Sequence, residues 1–132
     1  AWVVNACIPA PLHPSEMTTV DMIVSELADR TTCVRLAGRL DAAGADQIGV
    51  RFSAVVASAG HPAVIDLSGV SFVASLGIRL LISTARSMAS KGQPLVLFGA
   101  GDLVRGVLDD VALDQIIPIV DTEAEALARL AG

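Results

Sequence analysis

The chain has 132 residues, of which 53% are hydrophobic and 17% are charged, and its formal net charge is −5. This composition excludes a disordered chain and predicts one ordinary domain with a real hydrophobic core. Its nine Lys and Arg residues are scattered, no apolar run reaches roughly 18 residues and the N-terminus lacks a basic leader, so we expect a cytoplasmic protein that binds neither nucleic acid nor membrane.

Residues 1–16 read AWVVNACIPAPLHPSE, with three prolines and no regular hydrophobic period. We interpret them as a tail or linker, compatible with a short strand at residues 3–8, before a single domain at 17–132. The two cysteines, Cys7 and Cys33, lack CxxC spacing. Free thiols are therefore expected, although one disulfide between the two remains open.

Two alternating apolar runs follow, and alternation with period 2 predicts strands. Because a short polar segment separates the runs, they predict an antiparallel hairpin. The apolar positions are Val20, Met22 and Val24 in the first run and Thr32, Val34 and Leu36 in the second. Asp41 then predicts the N-cap of a helix that ends at Gly60. The apolar face of this helix consists of Ile48, Phe52, Val55, Val56 and Ala59.

Three apolar runs predict further strands with helices between them. The runs are AVIDL at 63–67, PLVLFG at 94–99 and IIPIV at 116–120. The first two predict strands buried on both faces, whereas the proline in the third predicts an edge strand. Helical faces are expected at Ile78, Leu81, Ile82, Ala85, Met88 and Ala89 and at Leu103, Val104, Val107, Leu108 and Val111. Thr122 and Glu125 form a capping-box motif for a last helix.

The predicted element order is β-β-α-β-α-β-α-β-α. This order is typical of an α/β fold with a mixed, mostly parallel sheet of about five strands and about four helices. In such sheets functional residues gather at the carboxyl ends of the strands. The loops at Asp41 and at residues 68–75 are expected at this edge.

Ser75 lies in the stretch SFVASLGIRL, where a strand gives way to a helix. One interpretation is an N-cap, whose hydroxyl accepts a hydrogen bond from an amide of the first turn. Another is a phosphorylation site, because the free amides and the dipole at a helix start tolerate a phosphate. A phosphate would also place about two negative charges on an apolar surface. The two roles are compatible, and both stay open.

Enzymatic motifs are incomplete in this chain. A nucleophile elbow needs a glycine two residues before Ser75, which is absent, and a later histidine, whereas His13 and His61 both precede Ser75. Neither HExxH nor CxxC supplies a metal site. Gly99 and Gly101 lack the third glycine of a dinucleotide motif. We therefore expect no enzyme, no metal site and no cofactor.

Three segments together resemble the STAS domain and look most like the bacterial anti-sigma-factor antagonists. They are LAGRLDAAGA, VIDLSGVSFVASLGIRLLISTARSM and PLVLFGAGDLVRGVLDDVALDQIIPIVDTEAEALARL. The likeness runs from about Met17 to Leu130. The resemblance implies a binding module that captures an anti-sigma factor, often a serine kinase, and so frees a sigma factor. It also implies that the kinase phosphorylates a serine at the start of the second helix and that the phosphorylated antagonist dissociates from the anti-sigma factor. A phosphatase then removes the phosphate and restores binding.

Matching positions place the phosphoacceptor serine at Ser75 and the partner surface around it. The implied partner-binding residues are Asp41, Ala42, Gly44, Ser71, Phe72, Ala74, Leu76, Gly77 and Arg79. Many members carry Asp-Ser-Ser/Thr-Gly here, whereas this chain carries Ala-Ser-Leu-Gly, so the acidic residue before the acceptor is missing. The expected oligomeric state is a monomer or a dimer.

An alternative hypothesis keeps the STAS fold and changes its use. The domain would then be a scaffold or sensor module in a stressosome-like or transporter-linked assembly. Large assemblies in size-exclusion chromatography favour this hypothesis, and a monomer or dimer favours the antagonist.

Overall fold

The computed structural model describes residues 2–3, 20–27, 30–57 and 60–131. Within them the strands are β1 (Trp2–Val3), β2 (Val20–Glu26), β3 (Thr32–Leu40), β4 (Ala63–Val73), β5 (Leu95–Phe98) and β6 (Ile119–Val120). The α-helices are α1 (Ala42–Phe52), α2 (Ser75–Ala89), α3 (Asp102–Asp110) and α4 (Glu123–Ala131). A π-helical turn, Ser53–Ala57, extends α1, and a 3-10 turn spans Leu113–Gln115. None of the helices in the described ranges has the length and apolar character that crossing a bilayer requires.

The strands form one sheet in chain order. β1, β2 and β3 pair antiparallel, whereas β3 to β6 pair parallel. The predictions of a mixed, mostly parallel sheet, of the hairpin and of β6 as an edge strand are confirmed. β1 adds a short strand from the segment predicted as a tail, and the other residues of 1–16 lie outside the described part of the chain.

Helices cover the two faces of the sheet unequally. α1, α2 and α3 pack on one face and share the main core, as right-handed crossovers between neighbouring parallel strands predict. Large side chains buried in this core include Met22, Phe52, Leu67, Leu81, Met88 and Leu108. α4 covers part of the other face with a smaller cluster around Cys33 and Phe98. Cys33 is a free thiol whose pKa is raised by burial, and Cys7 lies outside the described residues.

β4 is longer than the sequence predicted, because it continues past Gly69 to Val73. Its register against β3 shifts twice, so β4 carries extra residues in two bulges. At the first bulge the two strands approach closely, and a Cβ atom on Gly69 would lie 2.9 Å from the Cβ of Ala37. The prediction of a loop over 68–75 was therefore wrong, since only Ala74 separates β4 from α2.

The predicted helical faces are correct in their centres and wrong at their ends. α2 buries Ile78, Leu81 and Met88, and α3 buries Val104 and Leu108. Ala89 is exposed, as are Leu103 (70%) and Val111 (49%). Val111 is exposed because α3 ends at Asp110, and Leu103 lies in the first turn on the side of the helix away from the core.

Thr84 has a buried hydroxyl that lacks a hydrogen-bond partner within the described part of the chain. The residue is 2% exposed on the inner side of α2. Because valine has a similar shape and no hydroxyl, we expect Thr84→Val to raise the free energy of unfolding by about 1 kcal/mol. Urea unfolding followed by circular dichroism measures this change, with Ser83→Ala on the exposed side of the helix as the control. A destabilised Thr84→Val variant would show that the hydroxyl has a partner.

Candidate functional site

β3 and β4 end side by side at the carboxyl edge of the sheet. Leu40, the last residue of β3, is in register with Val73, the last residue of β4. The amide of Ala74 donates a hydrogen bond to the carbonyl oxygen of Leu40 at 3.0 Å. This bond connects the residue before α2 to the end of β3, just before α1. The segment at Asp41 therefore lies next to the start of α2, as the sequence predicted.

Asp41 caps α1, which confirms that prediction. Its Oδ1 accepts a hydrogen bond from the amide of Gly44 at 2.8 Å, and its carbonyl oxygen accepts one from the amide of Ala45, also at 2.8 Å. The Gly44 amide, supported by the Arg39 guanidinium 3.4 Å away, lowers the pKa of the Asp41 carboxyl against a smaller opposing effect of desolvation. Gly44 is buried, so it supports the cap and offers no side chain to a partner.

We expect Asp41→Ala to destabilise the domain at neutral pH, because the Gly44 amide loses its acceptor. The pKa of Asp41 is lower in the folded chain than in the unfolded chain, so its charged form stabilises the fold at pH values above the unfolded pKa. This contribution is lost as the pH falls through the folded pKa. The stability of wild type and Asp41→Ala in urea unfolding should therefore differ more at neutral pH than in acid. Asp41→Asn keeps a capping oxygen and should therefore lose less stability than Asp41→Ala. An equal difference in stability between wild type and Asp41→Ala at neutral and acid pH would contradict the role of the charged carboxylate.

Ser75 is the first residue of α2 and not its cap. Ala74 occupies the N-cap position with an extended backbone and makes no side-chain cap. The N-cap interpretation of Ser75 was wrong because β4 runs on to Val73 and leaves one residue between strand and helix. The Ser75 side chain is exposed and has no hydrogen-bond partner among the described residues. Its hydroxyl is therefore accessible, at a helix start whose amides favour an anion.

We expect Ser75→Ala to change the free energy of unfolding by less than about 0.5 kcal/mol, as for other exposed substitutions. A capping serine would instead lose about 1 kcal/mol. Urea unfolding distinguishes these values. A loss near the larger one would mean that the hydroxyl caps the helix in solution.

Gly77 packs against the end of β3. A Cβ atom on Gly77 would lie 2.6 Å from the Leu40 carbonyl oxygen and 2.8 Å from Leu40 Cγ. A larger residue would therefore push the start of α2 away from β3. Because Gly77 is buried, it positions Ser75 and Leu76 and presents no surface of its own.

Arg39 and Phe72 lie on the opposite face of the sheet from α1 and α2, by the alternation of side chains along a strand. The guanidinium carbon of Arg39 is 4.6 Å from the centroid of the Phe72 ring, and its Nε is 3.4 Å from Asp41 Oδ2. The hydroxyl of exposed Ser71 donates to the Gly38 carbonyl oxygen at 3.3 Å. These contacts join the ends of β3 and β4. Arg39 was not predicted as part of the site, although its place in the GRLD motif before the cap was a usable signal.

A groove of about 330 Å³ opens between α1 and α2. It is lined by Ala42, Ala45, Asp46, Leu76, Arg79, Leu80 and Ser83. Ala42, Leu76 and Arg79 were among the predicted partner-binding residues, and Leu76 is an exposed apolar side chain. Asp46 and Leu80 were not predicted, although each follows a predicted residue by four positions on the same helix. The edge thus combines an accessible hydroxyl with an apolar groove that carries one charge of each sign.

The chain belongs to the STAS domain family, because a family model described as "Mlab, STAS domain" matches residues 23–121. This match confirms the resemblance seen in the sequence. No curated protein matches the chain.

Solved structures with the same fold come from different kinds of protein. An anti-sigma-factor antagonist (STAS) domain protein from Planctomyces limnophilus is 25% identical, with a TM-score of 0.76 over 84% of this chain and 98% of that chain. The Bacillus cell fate determinant SpoIIAA in its phosphorylated form is 22% identical, with a TM-score of 0.62 over 82% and 97%. The murine anion transporter Solute Carrier 26 family member A9 is 16% identical, with a TM-score of 0.69 over 87% and 22%. The last two likenesses show the fold alone.

Proposed function

We propose that this domain is an anti-sigma-factor antagonist that binds an anti-sigma factor and is switched off by phosphorylation of Ser75. The observation that carries the proposal is the placement of Ser75, which is exposed at the first turn of α2 and has no structural task there. The solved antagonist domain from Planctomyces limnophilus supports the same class of function.

In this proposal the binding surface consists of the first turns of α1 and α2 and the groove between the two helices. Leu76 and the alanines of α1 supply apolar contact, and Arg79 and Asp46 supply charge at the rim of the groove. An apolar centre with a charged rim is typical of a protein interface. Of the other predicted contact residues, Ser71 is exposed and Phe72 is half-buried.

Phosphorylation would oppose binding without disturbing the fold. A phosphoserine carries about two negative charges, which a partner would have to desolvate against the apolar groove. The fold tolerates these charges because the first-turn amides and the dipole of α2 favour an anion. A phosphatase would then restore binding. In this proposal the anti-sigma factor is also the kinase. Many family members carry an acidic residue immediately before the phosphoacceptor serine. This chain has Ala74 there, so the kinase would have to bind without that charge.

The proposal is tested by incubating the protein with a cognate anti-sigma kinase and ATP, followed by mass spectrometry. We expect one phosphate on Ser75 and none on Ser75→Ala. Ser71→Ala, which removes another exposed hydroxyl from the same edge, is the matched control and should be phosphorylated like wild type. Phosphate on Ser75→Ala would contradict the assignment.

A second candidate function is a transporter-linked STAS module, because the same fold occurs within part of the murine anion transporter. The domain would then bind a membrane transporter and no anti-sigma factor. Co-purification with a transporter, together with a lack of binding to every anti-sigma factor of the native cell, would favour this function. Large assemblies in size-exclusion chromatography would instead favour a scaffold.

A further inference from the structure

Arg79 lies one turn of α2 after Ser75, on the same exposed side of the helix. Residues four positions apart on a helix have Cβ atoms about 5–6 Å apart. Helical side chains also lean toward the N-terminus, so the Arg79 side chain covers the turn that begins at Ser75. A group attached to the Ser75 hydroxyl is therefore within reach of the Arg79 guanidinium.

The charge of Arg79 is not used elsewhere in the described part of the chain. Arg35, Arg39 and Arg105 each form an ion pair with an aspartate, whereas Arg79 forms none within residues 20–27, 30–57 and 60–131. Asp46, across the groove from Arg79, is likewise unpaired within those ranges. The guanidinium at the rim of the groove is thus available to a new anion.

We propose that Arg79 binds the phosphate of phosphorylated Ser75, so that modification also withdraws the Arg79 cation from the groove between α1 and α2. An arginine pairs with phosphate through two parallel hydrogen bonds, which a lysine does not match. The arrangement, with the acidic group four residues before the basic one, is also the favoured orientation on a helix. The inference rests on the proposed function for the identity of the modified residue.

Other charged groups face the same edge. Arg39 is the competing cation, but it lies on the opposite face of the sheet and is paired with Asp41 at 3.4 Å. Asp41 and Asp46 are acidic neighbours that would disfavour a dianionic phosphate. Substituting one arginine at a time leaves both aspartates in place, so the differences between variants report on the arginines.

The test uses the full chain with phosphoserine installed at position 75 by an expanded genetic code and follows the phosphate by ³¹P NMR during a pH titration. A nearby cation favours the dianion and lowers the second pKa of the phosphate, which is about 6 when unperturbed. We therefore expect Arg79→Gln to raise this pKa by about 0.15–0.4 relative to the Arg79 protein. Arg86→Gln, on the last turn of the same helix, is the matched control and should leave it unchanged.

A second measurement reads the arginine itself. The Nε–Hε resonance of Arg79 in a ¹H–¹⁵N spectrum should shift when phosphoserine replaces serine, and that of Arg86 should not. A phosphate pKa that is equal in the Arg79 and Arg79→Gln proteins would overturn the inference, as would a rise in Arg39→Gln alone. Because the phosphate is installed without a kinase, failure of a kinase to modify Ser75 would count against the proposed function and leave this result standing.

Discussion

Gly77→Ala should lower the free energy of unfolding by about 2–3 kcal/mol, the upper part of the range for overpacking. The added methyl would lie 2.6 Å from the carbonyl oxygen of Leu40. Because this oxygen belongs to the backbone at the end of β3, moving it would distort the strand. The start of α2 would have to shift instead, which displaces Ser75 and Leu76 from the edge. Urea unfolding measures the stability, and loss of partner binding should accompany it.

Gly106→Ala is the matched control for this substitution. Gly106 also lies in a helix, α3, but among the described residues a Cβ atom there would meet no heavy atom within 4 Å apart from its own helix backbone. Replacing an exposed helical glycine by alanine should stabilise the domain by up to about 1 kcal/mol. A Gly77→Ala variant as stable as wild type would show that close packing does not explain the glycine.

Ser75→Asp should weaken binding to the anti-sigma factor at least tenfold, which corresponds to about 1.4 kcal/mol. The carboxylate places a negative charge beside Leu76 and the groove, and a partner would have to desolvate that charge. The fold should remain intact, because an acidic residue at the first turn of α2 interacts favourably with the helix dipole. Isothermal titration calorimetry measures the affinity, and circular dichroism checks the fold.

Ser87→Asp, three turns further along α2, is the charge-matched control. Ser87 is exposed and does not line the groove, so its substitution should leave the affinity unchanged. An unchanged affinity of Ser75→Asp, or an equal loss in both variants, would show that the start of α2 is not the contact surface.

The parts of the fold that depend on local pattern could be predicted from the sequence. Alternation predicted the hairpin, the position of Asp41 predicted the cap of α1, and the capping box predicted the start of α4, where the Glu125 amide donates to Thr122 Oγ1 at 3.2 Å. These features rest on residues close together in the chain. Each could therefore be recognised without knowledge of tertiary contacts.

The course of β4 could not be predicted because it depends on its partner strand. Ser68 and Gly69 are typical turn residues, and only pairing with β3 through two bulges keeps this segment in the sheet. The same extension moves Ser75 from the cap into the helix. Only part of the groove lining could be predicted, for a similar reason. Leu76 could be predicted because it is next to Ser75 in the chain. Asp46 and Leu80 line the groove only because α1 packs against α2, which the sequence does not show.

The most direct test of the account compares the affinity of a cognate anti-sigma factor for the domain before and after stoichiometric phosphorylation of Ser75. Isothermal titration calorimetry at one salt concentration is suitable, since charge effects depend on ionic strength. We predict tight binding of the unphosphorylated domain and at least about 100-fold weaker binding of the phosphorylated domain, or about 2.7 kcal/mol. Equal affinity of the two forms would contradict the switch at Ser75.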